Sequence, residues 1–145
     1  MDILFVDANV LFSAAYRDAA GIARLWDLDD VELVTSHYAA DEARRNLPEP
    51  HQQVRLENLL RRTRIEAGVI ALGIPDDIAL PKKDRPILAA AVSVRATHLI
   101  TGDVTHFGAL FGRDVAGVRI VPAARYLRER RIRQEGSASH TPGPR

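Results

Sequence analysis

The 145-residue chain contains no cysteine, which excludes disulfides, thiolate metal ligands and a cysteine nucleophile together. That absence is compatible with a reducing compartment. No apolar run approaches the length that spans a bilayer. The opening stretch MDILFVDANVLFSAA has no basic leading segment, and Asp2 and Asp7 interrupt its apolar residues, so it does not read as a secretion signal. The expectation is a soluble, cytoplasmic protein without membrane association. Internal repeats are missing, and His37, His51, His98 and His140 show no zinc-ligand spacing. Lysine is nearly missing too: Lys82 and Lys83 are the only two, and 18 of the 20 basic residues are arginine.

What is present suffices for one domain with a real core, since 46% of the residues are hydrophobic. The net charge of +1 conceals an asymmetry. From residue 119 onward there are seven Arg and two Glu, a balance of +5; residues 1–118 carry 13 basic and 17 acidic groups, a balance of −4. An acidic body thus carries a basic C-terminal segment.

Strand and helix signals alternate. DILFVDA reads as a buried strand over residues 3–7, with Asn9 as cap of a helix starting near Val10. AAGIARLWDL reads as a second helix. VELVTS is a strand over 31–35 ending in the helix start signal Ser36, and HYAADEARRNL is a helix stopped by Pro48 and Pro50. QQVRLENLLRRTR is a further helix, VIALGIP a strand and DDIALPKKD a polar loop. RPILAAAVSVRA is a helix with Pro86 in its first turn, where a missing N–H costs least. HLIT and VRIV are strands, FGALFG a short helix, and PAARYLRERRI the closing helix. The predicted domain spans 1–133, and residues 134–145, low in apolar content, are expected to be a disordered tail. The alternation predicts an α/β fold: a three-layer α/β/α sandwich around a mainly parallel sheet. Right-handed crossovers align the C-terminal ends of such strands along one edge, where sites form.

Four acids converge on that edge. Asp7 ends the first strand and Asp103 follows HLIT. Glu42 borders the Ala39, Ala43, Leu47 stripe of a helix that begins past another strand's end, whereas Asp41 is rotated away. Asp84 stands at or just before a helix N-cap. Each has an ordinary reading: Asp84 as a cap, Asp103 as a turn residue, Glu42 as a solvated helix acid, Asp7 as a strand-end cap. Together they repel, and a hard divalent cation turns that repulsion into binding. Mg²⁺ and Mn²⁺ prefer oxygen ligands and take phosphate as a further one. Two ions about 4 Å apart activate water and steady the leaving oxygen of a phosphodiester. Thr101 either hydrogen-bonds a carboxylate or phosphate at this edge or serves only as a strand residue.

FVDANVLFSA, SHYAADEARRNL, KKDRPILAAA and LITGDVTHF occur in the order seen in PIN domains, and RIVPAARYL resembles their closing strand and helix. The resemblance runs from about residue 2 to residue 128. It implies a PIN-like fold and a Mg²⁺- or Mn²⁺-dependent endoribonuclease cutting single-stranded RNA, most often the toxin of a VapBC-type toxin–antitoxin pair. By position, the catalytic and metal-binding set is Asp7, Glu42, Asp84 and Asp103, with Asn9 and Thr101 at commonly polar positions beside it. The implied partners are RNA, an antitoxin protein and a second copy in a homodimer. One departure stands out: many PIN nucleases carry a further acid a few residues after the Asp103 position, where this chain has His106. The expectation is that His106 packs or caps the short helix, outside the catalytic set. Arg125, Arg128, Arg130, Arg131 and Arg133 on the closing helix fit contact with an RNA backbone or an antitoxin, or simply form a solvated face. No aromatic interleaving there supports base stacking.

A non-catalytic PIN-like module binding RNA or protein is an alternative, and retention of all four acids argues against it. A haloacid-dehalogenase-like phosphatase also ends its first strand in Asp. It wants a second acid two residues later, where this chain has Asn9, and a Lys after its Thr, whereas Lys82 and Lys83 precede Thr101. A receiver-like signalling domain needs paired acids and a late lysine, both absent.

Overall fold

The computed structural model describes residues 1–67 and 74–140, with side chains up to residue 136. Its strands are β1 (Asp2–Val6), β2 (Val31–Ser36), β3 (Arg64–Glu66), β4 (His98–Ile100), β5 (Asp114–Val115) and β6 (Val118–Val121). Its α-helices are α1 (Ala8–Tyr16), α2 (His37–Asn46), α3 (Pro50–Arg61), α4 (Arg85–Ser93), α5 (Val104–Phe107) and α6 (Ala123–His140). Short 3₁₀ segments cover Gly21–Asp27, Lys82–Asp84 and Gly108–Leu110.

The six strands form one sheet in the order β3-β2-β1-β4-β6-β5, parallel throughout except for the final β5–β6 pair. Side-chain alternation splits the core into two layers. Leu4, Val6, Leu33, Ile100 and Val121 pack on one face with α1, α2, α3 and α6. Phe5, Val34, Leu99 and Ile120 pack on the other with α4 and the segment around Phe107 and Leu110. The result is a three-layer α/β/α sandwich. The direction in which successive strands are added reverses at β1, whose parallel neighbours are β2 on one side and β4 on the other. That is a topological switch point, where open α/β sheets build their sites.

Several elements differ from the sequence reading, each for a local reason. The expected helix in AAGIARLWDL is a 3₁₀ segment, Gly21–Asp27. Ile22, Leu25 and Leu28 recur every three residues and pack toward the first core layer, the spacing that a 3.0-residue turn eclipses. Asn9 does not cap α1; Asp7 does, accepting the Ala8 N–H at 2.7 Å. Ser36 caps α2 as expected, accepting from Ala39 at 3.1 Å. α3 stops at Arg61, and Arg64–Glu66, of which the sequence reading placed Arg64 in that helix and left the rest unassigned, pairs with β2 as an edge strand. The strand expected in VIALGIP falls largely on 68–73, outside the described residues. The hairpin strand β5 was not foreseen; it turns through Ala116 and Gly117 at φ 50° and 85°, the positive-φ pair of a tight hairpin. Helix α6 continues to His140, past the boundary drawn at residue 133, and residues 141–145 lie outside the described residues. Among the described residues, no helix is long and apolar enough to cross a membrane.

Candidate metal centre

The main chain continues the sheet one residue past β1 and β4. Asp7 N–H donates to Ile100 C=O at 3.1 Å, and Thr101 N–H to Val121 C=O at 3.2 Å. These bonds set both side chains at the switch-point edge. Asp7 is 7% exposed. Its Oδ1 accepts from Ala8 N–H, while its Oδ2 accepts from Thr101 Oγ1 at 2.9 Å and Asn9 Nδ2 at 3.1 Å. Thr101, fully buried, also accepts from Asp103 N–H at 3.2 Å. Asn9 Oδ1 takes the Gly102 N–H at 2.8 Å. Asn9 therefore serves as a clasp between the ends of β1 and β4. Burial raises the pKa of Asp7, the Thr101 and Ala8 hydrogen bonds oppose the rise, and the nearby charges of Glu42 and Asp103 add to it.

On the other wall, Asp103 caps α5 through its Oδ1, which accepts His106 N–H at 3.0 Å. Its Oδ2 lies 2.7 Å from His106 Nδ1, and the same nitrogen is 3.2 Å from Asp84 Oδ2. One N–H cannot serve both oxygens. It points at the closer Asp103, leaving Asp84 Oδ2 buried and without a hydrogen bond. Nor does Asp84 discharge the ordinary role its position suggested: it is the N-cap residue of α4 but makes no capping bond. A buried, unbonded carboxylate oxygen is costly to retain.

Glu42 faces the same space from α2, half-buried beside fully buried Ala39 and Ala43. Asp41 turns outward and pairs with Arg44 at 2.8 Å. All four predicted acids, together with Asn9 and His106, line one cleft of about 290 Å³. Phe12, Tyr38, Asn46 and Lys83 also line it, none of which the sequence reading assigned to the site. The tightest group of donors is Asp84, Asp103 and His106, whose ligand atoms lie within 4.8 Å of one another. His106, set aside in the sequence reading, thus stands inside the cluster; the signal was its three-residue spacing from Asp103, one helical turn. Two carboxylates and an imidazole suit a divalent cation that tolerates mixed oxygen and nitrogen ligands, and the orphaned Asp84 oxygen fits such an occupant.

The five C-terminal arginines are not brought to this cleft. Arg133 binds Asp2 at 2.9 Å and Arg130 donates to Asp29 C=O at 2.7 Å. Asp2 opens β1 and Asp29 precedes β2, so these contacts lie at the sheet edge opposite Asp7, roughly 15 Å away along a five-residue strand. Arg125 leans on Glu129 at 3.4 Å, Arg131 on Glu135 at 3.9 Å, and Arg128 has no acidic partner among the described residues.

No curated protein matches this chain. A family model described as the PIN domain matches residues 4–105, well over half of the sequence and inclusive of all four acids. The chain belongs to the PIN domain family, whose members are generally nucleases that use divalent metals.

Proposed function

We propose that this protein is a Mg²⁺- or Mn²⁺-dependent endoribonuclease that cleaves single-stranded RNA, and that it acts as the toxin of a type II toxin–antitoxin pair in the cytoplasm. The observation that carries the nuclease reading is the orphaned Asp84 oxygen beside Asp103 and His106, in a cleft that also holds Asp7 and Glu42. Asp84 and Asp103 would hold the cation through oxygen, with His106 steadying Asp103 and with Asp7 and Glu42 lining the same cleft. When bound, the cation lowers the pKa of water and offsets charge on the phosphodiester. Without it, the clustered carboxylates repel an RNA backbone. Thr101 and Asn9 fix Asp7 in one rotamer with its Oδ2 already bonded, so its orientation is settled before substrate arrives. Exposed Lys83 at the rim offers a positive charge to a phosphate.

Cleavage of a single-stranded RNA by the purified protein should require Mg²⁺ or Mn²⁺, stop in EDTA, and fall at least about 100-fold in Asp7→Asn, beyond the usual loss for a supporting residue. Activity that survives both treatments would sink the mechanism. The toxin role rests on the sequence resemblance and entails an antitoxin and a homodimer as partners. Induced expression should arrest growth, and Asp7→Asn should not.

A further inference from the structure

Tyr38 is a large aromatic side chain that the described residues leave largely in solvent. It is 59% exposed on the first turn of α2. Among the described residues its ring meets no other ring, and its hydroxyl makes no hydrogen bond. The other tyrosines are accounted for: Tyr16 packs against Phe12 at 5.3 Å, and Tyr126 is buried against His98 and bonded to Asp2.

The position of Tyr38 is specific. It precedes Glu42 by four residues and Asn46 by eight, so the three form one stripe along α2, and all three line the carboxylate cleft. The ring also borders a second, smaller hollow of about 90 Å³ floored by Ile87 and Ala90. Tyr38 therefore lines two neighbouring concavities while remaining 59% exposed beside the acids. Across the cleft, Lys83 is exposed and has no acidic partner among the described residues.

We infer that Tyr38 is a stacking platform for one unpaired nucleobase next to the scissile phosphate, with Lys83 holding an adjoining phosphate. The inference rests on the nuclease reading and adds how the site selects its substrate. Every base offers a π-face, so stacking tolerates sequence. A base inside a duplex already has both faces covered, so the platform admits single strands and rejects paired ones. The α6 arginines sit at the opposite edge of the sheet and take no part.

The test separates binding from cleavage. Binding of a fluorescent single-stranded RNA is measured with Mg²⁺ in the Asp7→Asn background, in which cleavage is slowed, and KM and kcat are measured in the otherwise native chain. Tyr38→Ala should weaken binding and raise KM about 5- to 150-fold, the range of one lost base stack, with kcat little changed; Tyr38→Phe should remain near the parent. An abasic residue at one position beside the cut should impose the same loss on the parent and no further loss on Tyr38→Ala. Because the side chain is exposed, Tyr38→Ala is expected to fold. Unchanged affinity in Tyr38→Ala, an abasic penalty that persists in it, or no RNA bound at all overturns the inference. Tyr38-dependent binding by a chain that never cleaves would instead overturn the nuclease reading and leave the platform standing.

Discussion

Asp2 and Asp7 bracket the same strand, five residues apart, and meet opposite surroundings. Both are drawn out of water, which pushes each carboxyl upward. At Asp2, the hydrogen bonds from Tyr126 at 2.6 Å and Arg133 at 2.9 Å outweigh that push and hold it below the ordinary value of 3.8. At Asp7, the bonds from Thr101 and Ala8 do not suffice, because Glu42 and Asp103 add repulsion, and the group lies above 3.8. One end of β1 pairs its acid with a cation of its own chain; the other holds its acid among neutral donors and further carboxylates. The contrast separates an acid that holds the fold together from acids that form a site.

The largest expected effect that sharpens this contrast is the one on cleavage. Asp7→Asn should abolish most activity while leaving the fold intact, and an Asp2 variant that remains folded should cut RNA at a near-native rate. Equal losses of activity at both positions would erase the distinction. Next, Asp2→Ala should lower stability by about 1–3 kcal/mol in denaturant unfolding, because it strands the buried Tyr126 hydroxyl and frees Arg133. Tyr126, whose pKa is pushed to about 12 by burial and by the bond to Asp2, should recover part of that shift in the same variant.

A subtler effect is the pH dependence of melting in metal-free protein. Asp7 is raised, so its contribution is most favourable below 3.8 and is lost as pH climbs through its folded value. Asp7→Asn should therefore gain on the wild type as pH increases above about 4. Asp2 is lowered, so its contribution is present above 3.8 and is lost as pH falls through its folded value. The deficit of Asp2→Asn should thus be fullest at neutral pH and shrink in acid. Melting curves that run parallel to the wild type for both variants would contradict the assignment. The smallest effect belongs to Arg131→Ala: its 3.9 Å pair with Glu135 is 70% exposed on both sides, and its removal should change stability by less than about 0.5 kcal/mol.

Where burial writes itself into residue type, the sequence was readable. LFV, LVTS, HLIT and VRIV are apolar runs because both faces of the sheet are covered, and they located β1, β2, β4 and β6. An acid directly after such a run marked the site, since its position follows from strand direction alone. The edge strands carried no such signal: β3 is Arg-Ile-Glu, one partly buried apolar residue between two charged ones, and β5 has only two residues. Partnerships across long sequence distance were equally silent. Arg133 reaches Asp2 across 131 residues, so a cluster of arginines on paper became an anchored helix in space. His106 was set aside and Tyr38 passed over for a related reason: neither belongs to an apolar periodic pattern, and they meet only when α2, α4 and α5 are set around one cleft.

Those inconspicuous edge strands have a consequence for how the chain behaves in a crowded solution. A parallel sheet with open borders invites strands from other chains. Here Arg64 bridges Glu32 at 2.7 Å and Glu66 at 2.9 Å along one border, and the other ends in a two-residue hairpin. Among the described residues both borders are short or charged, which disfavours aggregation by strand addition.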